Sequence, residues 1–174
     1  MTQPRSETPR RKPLYTPEER RRRDESPWTL VQGILAPVQF VVFLVSLYLV
    51  LRFLATGEGE LAATISIVVK TLILYTIMIT GAIWERVVFG RYLFAEAFFW
   101  EDVFSMLVLA LHTAYLVALA TDALESVGLM WLALAAYAAY VINAGQFLIK
   151  LRAARLDQEE RDRAERKALA EVAE

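Results

Sequence analysis

Residues 28–54 read WTLVQGILAPVQFVVFLVSLYLVLRFL, twenty-seven positions with a single charged side chain, Arg52. Three more runs share this character, at 61–84, 100–120 and 128–151. Each meets the ~20 residues that a helix needs to cross a hydrocarbon core of ~30 Å. None alternates with period two, which excludes the strands of a membrane barrel. A helix in a soluble bundle keeps a polar stripe on its outer face, and these runs are apolar nearly all round. The expected fold is therefore all-α: a polytopic membrane protein with four transmembrane helices spanning residues 28–151.

The charges lie where this reading needs them. Of the 174 residues, 56% are hydrophobic and 22% are charged. Residues 1–27 hold 13 charges, residues 150–174 hold 14, and the 122 positions between hold 12. Charge in hydrocarbon is costly, so a bilayer sorts charges this way and a soluble domain has no reason to. Eight Lys and Arg precede the first run, two (Arg86 and Arg91) lie in the second connection, and seven follow from Lys150 onward. The first and third connections have none. The positive-inside rule then places both termini and the second connection in the cytoplasm. The apolar run starting at residue 28 is too long for the core of a signal peptide.

The two ends read as soluble segments. Residues 1–14 carry three prolines and few apolar side chains, the composition of a disordered segment. Thr16-Pro17-Glu18-Glu19 is a helix start, with Thr16 as cap, Pro17 in the first position and Glu19 closing a capping box. A short basic helix through Arg20–Arg23 follows, suited to anionic lipid headgroups rather than to nucleic acid. Residues 152–174 read as a charged helical tail continuing the fourth span. Asp157/Arg161, Glu159/Arg163 and Asp162/Arg166 form acid-before-base pairs four residues apart there.

Absences narrow the chemistry. With no cysteine and one histidine, thiolate nucleophiles, Cys-ligated clusters and multi-His zinc sites are excluded within one chain. No phosphate loop, dinucleotide fingerprint or hydrolase elbow occurs.

What remains is a small set of polar residues inside the apolar runs. Gln32, Gln39 and Ser46 recur every seven residues on one face of the first helix, suited to helix–helix hydrogen bonds. Pro37 is expected to kink that helix. Lys70 sits mid-span, about 22 Å along the second helix from Glu85, and an intramembrane lysine is a candidate functional residue by default. In the third run Glu101, Ser105, Val108, His112 and Tyr115 share one face, with Asp102 turned about 100° away. Asn143 and Gln146 add amides to the fourth. The second connection is dense: Trp84-Glu85-Arg86, Gly90-Arg91-Tyr92, then Phe98-Phe99-Trp100-Glu101-Asp102. Those aromatics fit an interfacial belt. They equally fit the mouth of a site for a large flat ligand, with Trp84 and Trp100 as walls and Arg86 or Arg91 holding a carboxylate.

Several stretches, in order, resemble one family. Tyr15–Arg20 with Arg23-Asp24, Trp28-Thr29-Leu30-Val31-Gln32-Gly33, Ala82-Ile83-Trp84-Glu85, Ala97-Phe98-Phe99-Trp100-Glu101-Asp102, Leu111-His112-Thr113-Ala114-Tyr115 and Ala144-Gly145-Gln146-Phe147 are similar to the 3-vinyl bacteriochlorophyllide hydratases, over about residues 14–155. The resemblance implies addition of water to the 3-vinyl group of a chlorophyllide-type tetrapyrrole, giving a 3-(1-hydroxyethyl) group in bacteriochlorophyll a synthesis. It implies no cofactor; the magnesium belongs to the substrate. It carries no catalytic residues with it.

Such a reaction needs one general acid and one base. Glu101 and Asp102, with Glu85, are the candidates for moving the proton and the water, since burial favours a protonated carboxyl. His112 has two open roles, proton donor or ligand of the substrate magnesium. Arg86 and Arg91 are candidates for the substrate propionate, with Trp84, Trp100 and Lys70 as further substrate contacts. The expected partners are the pigment, water and the bilayer, with a second copy or other pigment-synthesis enzymes beside them. A non-enzymatic pigment carrier or assembly factor is the competing class, and it uses the same mouth without Glu101 or Asp102.

Overall fold

The computed structural model describes residues 14–173, apart from the side chains at 157, 165, 168, 172 and 173. The expectation for residues 1–14 falls, except for Leu14, outside the described residues. The described chain is helical throughout, in five elements: α1 (Pro17–Glu25), α2 (Pro27–Thr56), α3 (Glu60–Phe89), α4 (Phe99–Ala120) and α5 (Ser126–Ala173). Four of them, α2 to α5, are long and apolar enough to cross a membrane.

Local chemistry sets the boundaries. Thr16 accepts a hydrogen bond from the Glu19 amide while the Glu19 carboxylate accepts from the Thr16 amide, so the capping box forms as predicted. Ser26 closes α1 and caps α2, whose first residue is Pro27. Pro37 lies inside α2, which continues through it. Gly57 ends α2 with φ of 74°, a left-handed conformation that costs glycine little. The α2–α3 connection is then only three residues long, which forces the two helices antiparallel. α5 runs unbroken from the fourth span through the tail, the continuation expected from the sequence. In that tail Glu159 pairs with Arg155 at 3.1 Å and Asp162 accepts from Gln158. The predicted partners Arg163 and Arg166 do not take those acids. Asp157 lies outside the described side chains.

Packing joins two hairpins, α2 with α3 and α4 with α5, through α2–α5 and α3–α4 contacts. α1 lies against α3, and Arg20 donates to Gln158 on α5. The outer surface of the four long helices is rich in Leu, Ile and Val, including Leu30, Ile34, Val41, Ile65 and Ile149. The interior holds Gln39, Ser46, Lys70, Glu85, His112 and Asn143. That inversion of the soluble pattern is what a hydrocarbon solvent selects, because polar groups gain by pairing inside the bundle and apolar groups lose nothing outside it.

Three apolar clusters divide the axis. Val50, Ile67, Tyr115, Met130 and Tyr137 fill the end far from α1. Leu74, Val108 and Ala139 form the middle. Tyr15, Val88 and Phe98 fill the α1 end, with Trp84, Phe89 and Phe147 packed around them. The rings are closely engaged there: Phe98 stacks on Phe147 at 5.8 Å and meets Trp84 edge-on at 5.8 Å.

Candidate functional site

The predicted carboxylates converge at the α1 end. Glu85 closes the last turns of α3, and Glu101 and Asp102 open α4. All three are buried. The 100° between Glu101 and Asp102 separates their partners. Asp102 turns toward the loop that follows α3, where adjacent amides bind its carboxyl and that of Glu85. Glu101 turns to α5, where its Oε2 accepts from Lys150 Nζ at 2.6 Å.

The 90–98 connection folds back over the Glu85–Asp102 pair. The Phe94 amide donates to Asp102 Oδ2 at 2.7 Å, and the Ala95 amide donates to Glu85 Oε2 at 3.4 Å. This geometry requires Phe94 at φ 59°, a conformation that non-glycine residues adopt at a cost. Gly90, at φ 81°, starts the reversal after α3. A strained loop thus delivers two backbone donors to two carboxyls.

Beside this pair lies a cleft of about 550 Å³, bordered by Thr16 and Glu19 at the start of α1, Phe89, Arg91, Ala95 and Lys150. Its volume falls within the ~300–1,000 Å³ common for small-molecule sites. Ala95, whose amide reaches Glu85, is part of its wall.

The other predicted site residues are spread more widely. Arg91 borders the cleft. Arg86 instead donates to the Gly90 carbonyl and stands over the Tyr92 ring at 5.7 Å. Trp84 belongs to the aromatic cluster and donates through Nε1 to Thr29 Oγ1 at 2.9 Å. Trp100 is two-thirds exposed and meets Phe99 edge-on.

Lys70 and His112 form a separate, deep unit. Lys70 Nζ lies 2.9 Å from His112 Nε2, and His112 Nδ1 lies 2.8 Å from the Val108 carbonyl. A carbonyl only accepts, so Nδ1 carries the ring proton and Nε2 accepts from Lys70. Both ring nitrogens are engaged. Lys70 faces the rings of Tyr140 at 4.2 Å and Tyr137 at 5.0 Å. Tyr137 in turn bonds Ser46, which bonds Ser66. All four long helices meet at this point, about 16 Å along α4 from Glu101.

Comparison with known proteins decides the family. The family described as 2-vinyl bacteriochlorophyllide hydratase matches residues 15–153. A protein of that name from Rhodobacter capsulatus is 69% identical over 156 residues, 90% of this chain and 91% of the relative. Another from Cereibacter sphaeroides is 68% identical over 158 residues, 90% of this chain and 98% of the relative. This chain belongs to the 2-vinyl bacteriochlorophyllide hydratase family. The locants 2 and 3 name the same vinyl substituent under two macrocycle numbering schemes. No solved structure matches the chain.

The hydratase family match runs from Tyr15 to Ala153 and so includes every residue of the carboxyl cluster and its surroundings. Three of those were missed as site residues in the sequence reading. Lys150 looked like the first charge of a solvated tail. Phe94 looked like one aromatic among many, because a positive φ leaves no mark on a phenylalanine codon. Tyr15 precedes the first helix, yet it stacks on Phe89 at 5.7 Å and anchors α1 beside the cleft.

Proposed function

We propose that the chain adds water to the vinyl group of a chlorophyllide-type macrocycle at the α1 end of the bundle, giving a 1-hydroxyethyl group. The observation that carries this reading is the pair of buried carboxyls, Glu85 and Asp102, bound by the adjacent Ala95 and Phe94 amides of one loop beside the cleft. Two neighbouring carboxyl groups that share one proton suit a reaction that lends a proton and takes one back.

The balance is as follows. The pair delivers its proton to the terminal vinyl carbon, converting CH₂ to CH₃. The electron pair of the double bond forms the new C–H bond, and positive charge develops on the carbon attached to the ring, where the π system spreads it. Water attacks that carbon through oxygen and loses a proton to the carboxylate pair. One water is consumed, the pair is restored, and nothing is oxidised or reduced, so the reaction draws on no redox cofactor. General acid and base catalysis contribute ~10²–10⁴ each to such a step.

Arg91, on the cleft wall, takes the substrate propionate. Trp84 and its neighbours shape the floor below the loop, and Trp100 contributes from the interfacial surface. Lys70 and His112 lie away from the reacting atoms and brace the bundle. This reading leaves neither His112 nitrogen for the substrate magnesium. The Lys and Arg distribution supports termini in the cytoplasm, and the bacterial sources of the two relatives support an inner or intracytoplasmic membrane. Contacts with a second copy or with other pigment-synthesis enzymes use the lipid-facing apolar surface.

The test supplies a 3-vinyl chlorophyllide to the purified full chain and follows the product by mass. Gain of one water by wild type, and its loss in Glu85→Gln/Asp102→Asn with pigment binding retained, is the expected result. Full turnover in the double variant overturns the assigned site. Pigment binding without turnover in wild type favours a carrier. Orientation is checked separately by single cysteines at 58 and 93, since the chain has none of its own. Labelling of 93 from the cytoplasmic side only is expected.

A further inference from the structure

Among the described charged groups at the α1 end, Lys150 has a position that the proposed chemistry does not yet explain. Its Nζ lies 2.6 Å from Glu101 Oε2, with the lysine side chain 27% and the glutamate side chain 10% exposed. An exposed pair contributes little. A part-buried one is different, because removing either partner strands a charge where water screens it poorly. The same ammonium stands over the Phe98 ring at 5.1 Å, and Phe98 is the residue at which the 90–98 loop ends and α4 begins. Lys150 therefore grips the first turn of α4 at two points.

That turn also carries Asp102, whose amide nitrogen bonds the Phe98 carbonyl at 2.9 Å. Three carboxyls crowd this turn and the facing end of α3. Two of them, Glu85 and Asp102, share the loop amides. The third, Glu101, is adjacent in sequence to Asp102. The charged residues that line the neighbouring cleft are Glu19 on α1, Arg91 and Glu96 on the loop and Lys150 on α5. Of these, Lys150 is the cation found bonded to Glu101.

We infer that Lys150 is a positioning residue of the hydration reaction: it neutralises Glu101, so that Glu85 and Asp102 act as an isolated two-carboxyl pair held under the loop amides. On this assignment Glu101 is a counter-ion, not the proton carrier. The inference rests on the proposed hydratase site.

The experiment compares full-length wild type with Lys150→Met, Lys150→Arg, Glu101→Gln and Glu101→Gln/Lys150→Met. Each is assayed per folded molecule with a 3-vinyl chlorophyllide and with its propionate methyl ester. Lys150→Met should lower kcat about tenfold to a hundredfold, the scale of a misplaced catalytic group, while KM stays within twofold for acid and ester alike. Lys150→Arg should restore kcat to within about threefold of wild type, and so should the double variant, which leaves no unmatched charge. An unchanged kcat in Lys150→Met overturns the inference. So does a double variant no better than Lys150→Met. A rise in KM for the acid but not for the ester also overturns it and makes Lys150 a substrate ligand. If wild type itself fails to hydrate, the functional reading falls and this inference falls with it. Hydration by wild type with failed rescue removes the inference alone.

Discussion

Lys70 and His112 provide the sharpest separation between bracing and chemistry. Lys70 is fully buried, its nitrogen held by one acceptor and two tyrosine ring faces. His112→Leu removes the acceptor and leaves a buried donor unmet, at a cost of about 1–3 kcal/mol. Lys70→Met leaves His112 Nε2 without a donor, at a similar cost of about 1–3 kcal/mol. Lys70→Met/His112→Leu removes both polar groups together, and such paired replacements by apolar groups are often near neutral. The double variant should therefore be more stable than the sum of the two single losses. Cross-helix hydrogen bonds in a membrane give coupling of ~0.6 kcal/mol on average and ~1.7 at most. The pair and its aromatic surroundings should reach the upper part of that range, about 1–1.7 kcal/mol. The assay is reversible unfolding of the four proteins in mixed detergent, with vinyl-hydration turnover measured on the folded fraction. Coupling below about 0.3 kcal/mol refutes the brace, since independent sites behave that way. A folded double variant with turnover reduced a hundredfold refutes the separation from chemistry and returns His112 or Lys70 to the mechanism.

Three further outcomes follow from individual residues. Phe94→Gly keeps the left-handed turn and should retain most turnover. Phe94→Val, a β-branched residue disfavoured at φ 59°, should lose the amide clamp and at least tenfold in kcat, checked by steady-state assay. Gln39 is buried with neither amide atom bonded among the described residues. Gln39→Met should raise stability by about 1 kcal/mol by removing an unmet polar group, seen as a higher unfolding midpoint. Arg91→Met should raise KM for a free-acid pigment at least tenfold and leave its methyl ester unaffected. Arg86→Met should change neither, because Arg86 is spent on Gly90 and Tyr92.

The predicted stripe on α4 is the clearest case of sequence periodicity surviving into the fold. Glu101, Ser105, Val108, His112 and Tyr115 are all buried on one face, and Asn143 meets that face by donating to Ser105 Oγ at 2.8 Å. The α2 stripe survives too. Gln32 donates to Thr80 at 2.7 Å and Ser46 bonds across to Ser66 and Tyr137. Its middle member, Gln39, has no hydrogen-bond partner among the described residues. Both patterns follow from 3.6 residues per turn, which fixes a shared face without knowledge of the neighbour.

Partners were another matter. The carboxyls of Glu85 and Asp102 are seventeen positions apart, and no spacing rule joins them. Their meeting depends on the nine-residue reversal from Gly90 to Phe98. The lysine that meets His112 lies forty-two positions away, and the one that meets Glu101 forty-nine. The sequence by itself determined four apolar helices, the segregation of charge and the inventory of polar side chains, because solvent preference and helical period act locally along the chain. The tertiary structure alone decided which partner each acid meets, the loop amides for Glu85 and Asp102 and Lys150 for Glu101, because side-chain direction across a helix interface depends on packing that no single helix contains.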